Sequence, residues 1–298
     1  GFQLGIGILV GSFAFILGML VLFGEMFLPY TDLTAFVYLA LGYAIVDIGD
    51  PSKIMLSKGM LRDPTGKYAI KSSVINVTLG LLAVTGLVIL NSTPETIVLK
   101  IAGIFGFAAG FYILHEFIHR LDDYILMFEE AEAQFAITFS LLLGLSYATE
   151  IIGLSTVLGA FFAGILVSRS DFSESRAFQE KIKAIGLGLF IPIFFAWFGL
   201  GLNLDSIIAN FGAATFLFAL STVSKIGIGY TVSKIHGIEK PTTVATSLLS
   251  LDIETLVVLL IGIDMGVFGT EILQIFAPSV LLSTATIVLL YAVLEKIN

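Results

Sequence analysis

Two stretches place ionisable and hydroxyl side chains where the surrounding sequence is almost pure hydrocarbon. The first, DIGDPSKIMLSKGMLRDPTGKYAIKSSVINVTLGL (47–81), carries Asp47, Asp50, Lys53, Lys71, Ser73, Asn76 and Thr78. The second, TTVATSLLSLDIETLVVLL (242–260), carries Thr246, Ser247, Ser250, Asp252, Glu254 and Thr255. Carboxylates beside neutral oxygens suit hard monovalent cations, by extension of the logic for calcium and magnesium, and a carboxylate can bind a proton in their place. Gly49-Asp50-Pro51 is hostile to an uninterrupted helix, because Pro51 lacks an amide hydrogen and clashes one turn back. Charge and irregular backbone at membrane depth are tolerated only where they line a polar cavity or are enclosed by protein. These residues are therefore expected to line an ion or substrate pathway; the alternative is a kinked helix whose acids face the headgroups.

Three further features could carry chemistry. Lys225, in ALSTVSKIGIGY, stands mid-span and is too far from either interface to snorkel, so it requires either a carboxylate partner, in transport or as a structural ion pair between helices, or the loss of its charge. Asp252 and Glu254 are two apart and would point about 200° from each other on a helix, so both serve one site only if the helix unwinds. His115-Glu116-Phe117-Ile118-His119 spells HExxH, which on a helix offers two zinc-ligating imidazoles one turn apart and a glutamate base, the signature of an intramembrane metalloprotease. The bland reading of that motif is an interfacial helix end.

Elements able to position such residues must cross a bilayer. The chain is 57% hydrophobic and 13% charged, with no cysteine, and its mean hydropathy is +1.02. Soluble domains are about a quarter charged, so an all-α polytopic membrane protein is expected. Apolar runs of roughly 17–25 residues exclude a barrel, whose strands would be about 10 residues with alternation. A net charge of −8 argues against nucleic acid, and absent cysteines exclude disulfides and thiolate sites. About ten segments are read, at 2–24, 33–57, 68–90, 97–118, 133–148, 150–168, 181–200, 211–234, 243–266 and 272–295. Lysine and arginine fall in alternate loops, at Lys58, Arg62, Lys67, Arg120, Arg169, Arg176 and Lys240, while the opposite loops hold none. Positive residues stay inside, which predicts a cytoplasmic C-terminus, with the cell membrane as the expected location. The blocks 2–90 and 211–295 each have a polar-interrupted middle member and run oppositely, the inverted-repeat pattern of secondary transporters with two crossed discontinuous helices. One transmembrane transport domain over 1–298 is expected, its halves roughly 1–118 and 181–298 joined by 119–180.

The runs EIIGLSTVLGAFFAGILVSR (150–169) and LFIPIFFAWFGLGLNLD (189–205) resemble the monovalent cation/proton antiporter superfamily, the sodium/proton and potassium-efflux exchangers. The likeness covers residues 33–295, with the family's usual first helices apparently absent. It implies exchange of sodium or potassium for protons by alternating access, with no cofactor and no enzymatic activity. Gly49-Asp50-Pro51 is similar to the family's Thr-Asp-Pro, which implies that Asp50 neighbours the cation. Ser73 and Asn76 match residues of the next helix, but the position of the family's cation-carrying carboxylate holds Val77. Lys225 falls where many electrogenic members carry a lysine, and Asp252-Ile253-Glu254 where the family often reads Arg-Gly-Glu. Some members pair a glutamate with that arginine, so Lys71 and Asp252 are expected to form the same bridge with signs reversed. Asp47, Asp50, Asp252 and Glu254, with Ser73, Asn76 and Thr78 as neutral oxygens and Lys225 as competitor, are the expected cation and proton site. The departure at Val77 keeps open a transport-inactive homologue serving as scaffold or sensor. The lipid bilayer is the expected surrounding, and a homodimer is admitted by the resemblance but not required by the residues.

Overall fold

The computed structural model of the chain describes residues 1–47, 49, 52, 55, 59, 60, 63–92, 94–125 and 131–297, except for the side chains at 94–96, 117–125, 131 and 294–297. The described helices, in chain order, are α1 (Phe2–Phe27), α2 (Leu33–Ala44), α3 (Pro64–Leu90), α4 (Pro94–Ile125) and α5 (Ala131–Ile151). They are followed by α6 (Thr156–Val167), α7 (Arg176–Ile185), α8 (Ile191–Leu200) and α9 (Leu204–Ala209). The chain ends with α10 (Phe211–Ile235), α11 (Pro241–Ser247), α12 (Ile253–Asp264) and α13 (Ile272–Ile297). No strand occurs among the described residues.

Seven stretches among the described residues are helical, long and apolar enough to cross a bilayer: α1, α3, α5, α10, most of α4 and α13, and the run Arg176–Leu200, where a π turn at Gly186–Phe190 joins α7 to α8. α2 and α6 are apolar but shorter. The expected segment 243–266 is divided into α11 and α12, with residues 248–252 outside any helix. The expected segment 150–168 also starts late. Ser155 caps α6 by accepting a hydrogen bond from Val157 N–H, and Gly153, at φ 73°, reverses the chain just after α5. Residues 150–154 therefore belong to the preceding helix end and its turn.

Helix starts follow local chemistry. Asp32 accepts from Thr34 N–H ahead of α2, and Asn203 accepts from Ser206 N–H ahead of α9. Proline opens α3, α4 and α11, where its missing amide hydrogen has no intrahelical partner to lose.

The chain divides into two compact units: Gly1–Val84 with Leu202–Asn298, and Thr85–Gly201. The expected halves joined by 119–180 cut across the second of these. In the first unit, α1 packs along α2 and α10, α10 packs on α11 and α13, and α2 lies against α12. α2 and α12 meet at ordinary contact distance around Gly42, where an added Cβ would sit 3.4 Å from Val258 and 3.6 Å from the Thr255 methyl. In the second unit, α5 and α6 are its most intimate pair, and a Cβ at Gly159 would fall 2.2 Å from the Leu145 carbonyl oxygen.

Gly159→Val should therefore force α5 and α6 apart and lower the melting temperature of the detergent-solubilised protein. Gly106→Ala, at a helical position with open space around it, should leave melting unchanged or raise it slightly, since alanine favours a helix by up to about 1 kcal/mol over glycine. Equal melting of both variants would contradict the close α5–α6 contact.

Candidate functional site

Helix α10 buries a serine-rich face, and Lys225 lies on it with 0% of its surface exposed. Its Nζ donates to the Ile45 carbonyl at 2.7 Å and reaches the Ser250 carbonyl at 3.4 Å. Both acceptors sit where the helical ladder stops. Ile45 follows the last residue of α2, in extended conformation (φ −70°, ψ 145°), and Ser250 lies between α11 and α12. Carbonyls inside an intact helix are occupied by the amide four residues on; a break frees them to point elsewhere. The ammonium thus joins the end of α2 to the break between α11 and α12.

Two carboxyl groups complete the surroundings. Asp47 and Glu254 act electrostatically on Lys225, and their side chains hydrogen-bond to each other. Glu254 Oε2 is buried with no hydrogen-bond partner. Asp252 interacts electrostatically with Glu254 from two residues away. Asp252 lies at the N-terminal boundary of α12, just after the non-helical run.

Asn76, 1% exposed on α3, fixes the first interruption. Its Oδ1 accepts from Val46 N–H at 2.9 Å, while Nδ2 lies 3.4 Å from both the Ala44 and Gly5 carbonyls. One amide thereby ties α1, α3 and the end of α2 together. The remaining neutral oxygens are spent locally: Ser73 donates to Ala69 O at 3.2 Å and Thr78 to Val74 O at 2.6 Å, each within its own helix. Asp50 and Lys53 lie outside the described residues. Lys71 is exposed, with its aliphatic stem beside Gly1, so its charge is not enclosed with the buried group. His115 is half-buried and Glu116 exposed on α4, whose backbone includes position 119; the His119 side chain lies outside the described set. Among the described residues no three histidines, cysteines or acids converge on a common point.

Beside Thr255, which the sequence marks, the hydroxyls of Ser221, Tyr43 and Ser279 are ones that the sequence does not single out. Thr255 donates to Gly42 O at 2.9 Å, Ser221 to Tyr43 O at 2.8 Å, and Tyr43 OH to Ser279 Oγ at 3.0 Å. They stitch α2 to α10, α12 and α13. Their signal was weak: a lone Ser or Thr in a membrane helix usually bonds back to its own turn.

This set of interrupted helices, a buried lysine and paired acids can be compared with known proteins. The profile of the family described as sodium/hydrogen exchanger, transmembrane, matches residues 3–294. The chain belongs to the sodium/hydrogen exchanger family. Among relatives, a K(+)/H(+) antiporter of Saccharomyces cerevisiae is 26% identical over 83% of this chain and 30% of its own length. A Na(+)/H(+) antiporter of Enterococcus hirae is 30% identical over 48% of this chain and 37% of its own. A probable Na(+)/H(+) antiporter of Methanocaldococcus jannaschii is 30% identical over 58% and 47% respectively. The chain thus spans less than half the length of each of these exchangers. Family membership and its long apolar helices make it an integral membrane protein.

Asn76→Ala removes the buried partners of Val46 N–H and Ala44 C=O. It should cost about 1–3 kcal/mol for each group left orphaned, visible as a lowered melting temperature in detergent. Thr78→Val, which removes only a bond within its own turn, should melt like the wild type.

Proposed function

We propose that this chain is the transmembrane part of a monovalent cation/proton exchanger, moving sodium or potassium against protons, with Asp47 and Glu254 as the group that binds either. The observation that carries the reading is the shared environment of Lys225, Asp47 and Glu254 between two interrupted helices. Antiport requires one site that accepts a cation or a proton but not both. An acid pair holding a single proton, beside one ammonium, is charge-neutral. An entering cation displaces the shared proton, and the Ile45 and Ser250 carbonyls now engaged by Lys225 are oxygen ligands of the kind such cations prefer. Lys225 then acts as an internal competitor, taking those oxygens back when the cation leaves.

Asp47 takes over, in this reading, the role that the family's carboxylate plays where this chain has Val77. Asp252 adjoins the site, Asn76 positions it, and Asp50 remains a candidate neighbour. The Lys71–Asp252 bridge draws no support from the exposed position of Lys71. We take the blocks containing α1–α3 and α10–α13 as inverted repeats whose interrupted members cross, with alternating access by movement of one bundle past the other. The C-terminus is placed in the cytoplasm and the protein in the cell membrane, on the distribution of lysine and arginine.

Purified protein reconstituted into vesicles with an internal pH dye should convert a sodium or potassium gradient into a pH change. Asp47→Asn and Glu254→Gln should each reduce that rate by on the order of a hundredfold, the scale set by losing half of a buried charge-paired group. Val77 favours the competing reading of a transport-inactive scaffold, and a folded wild type that moves no protons under either gradient would establish it. Lys225→Ala leaves buried acids without their cation, a loss of about 3–5 kcal/mol. Its melting temperature should fall and then recover with added sodium or potassium more steeply than the wild type's; no recovery with either ion would rule out a cation site at that position.

A further inference from the structure

The second interruption carries a fastening that the sequence does not announce. Ser283, on α13 and 1% exposed, accepts a hydrogen bond from Leu251 N–H at 3.1 Å and donates to the Leu249 carbonyl at 3.1 Å. Between those two residues is Ser250, whose carbonyl faces Lys225 Nζ. The first interruption is fastened on the same plan. Asn76 accepts from Val46 N–H and reaches the Ala44 carbonyl, and the residue between, Ile45, gives its carbonyl to Lys225. Ala44-Ile45-Val46-Asp47 and Leu249-Ser250-Leu251-Asp252 correspond position for position. In each case the clasp comes from the long helix that follows the interruption.

We propose that Ser283 is a positioning residue for ion exchange, holding the Ser250 carbonyl toward the site as Asn76 holds that of Ile45. The proposal rests on the exchanger reading given above. A five-residue gap in a buried helix leaves carbonyl and amide groups without ladder partners, and the backbone would otherwise rotate to satisfy them elsewhere. Ser283 meets one of each with a single hydroxyl, which fixes the peptide planes on both sides of Ser250. Its one hydrogen and one of its two lone pairs are thereby engaged, and in this proposal it acts on the cation through the Ser250 carbonyl that it holds in place. Two equivalent clasps aimed at one ammonium also give the two halves of the site matched geometry, which a residue serving only packing has no need to supply.

The test uses the full chain in vesicles and in detergent. Ser283→Ala should raise the cation concentration for half-maximal exchange by about tenfold, the scale of one lost buried hydrogen bond, and shift the pH profile of exchange. Its maximal rate should change less, and Ser283→Thr, which keeps the hydroxyl, should restore wild-type values. Ser283→Cys, nearly isosteric and a poor donor and acceptor, gives the same reading if the alanine variant does not fold. Hydrogen–deuterium exchange should quicken at the Leu251 amide in the alanine or cysteine variant, with α13 itself still protected. A wild-type half-saturation value and pH profile in a folded Ser283→Ala or Ser283→Cys protein would overturn the proposal, as would unchanged protection at Leu251. An inert wild type would defeat the exchanger reading instead, and the Leu251 amide would still decide whether the clasp exists.

Discussion

A fully enclosed lysine at mid-depth in a membrane helix has to be given oxygen, and that requirement organises the first unit of this protein. In water, the ammonium of Lys225 would be solvated on every side. Inside, a bare ion costs several kcal/mol even after relaxation, so the chain must bring acceptors to it. Intact helices cannot do this with backbone, because their carbonyls are already bonded. The end of α2 and the break between α11 and α12 free the carbonyls of Ile45 and Ser250, and the ammonium takes both. The charge that made the interruptions expensive in isolation is also what stabilises them together.

That exchange places demands on the neighbours. Backbone groups released by an interruption need partners of their own, which Asn76 and Ser283 provide from the helices that follow. Thr255 and Ser221 bond the last turn of α2 to α12 and α10. Glycine at a contact lets backbones come near enough for such short side chains to reach, as at Gly5, where a Cβ would sit 2.6 Å from the Ser72 carbonyl. Nearly all of this bonding is between neutral groups. The charges are confined to the acids and the lysine.

The substitution at Val77 has its place in the same arrangement. Val77 is 2% exposed and lies in the packed interior beside Asn76. Under the exchanger reading, the carboxylate missing there is supplied by Asp47, on the extended strand leaving α2, in contact with Glu254 from the second interruption. The acid pair then belongs to the two interruptions themselves and not to the intact helix beside them. Any relative movement of α2 and α12 would change the distance between its members, and with it the hold on a shared proton.

The sequence alone determined class and much of the architecture. Long apolar runs, proline and glycine within them, and lysines confined to alternate loops follow from one solvent rule: hydrocarbon rejects unpaired polar groups. That rule reads out residue by residue, so Lys225, Asn76, Asp47 and Glu254 were legible as residues that had to meet partners. The family was reached separately, through the resemblance carried by the runs at 150–169 and 189–205. Which partners they meet was decided only by tertiary structure. Lys225 bonds to two carbonyls whose side chains, an isoleucine and a serine, say nothing of the contact. Ser283 looks like any helical serine, and Lys71, matched by sign to Asp252, turned out to be exposed. Backbone acceptors carry no sequence identity, and whether a carbonyl is free depends on where a helix stops and what crosses that point from more than 170 residues away.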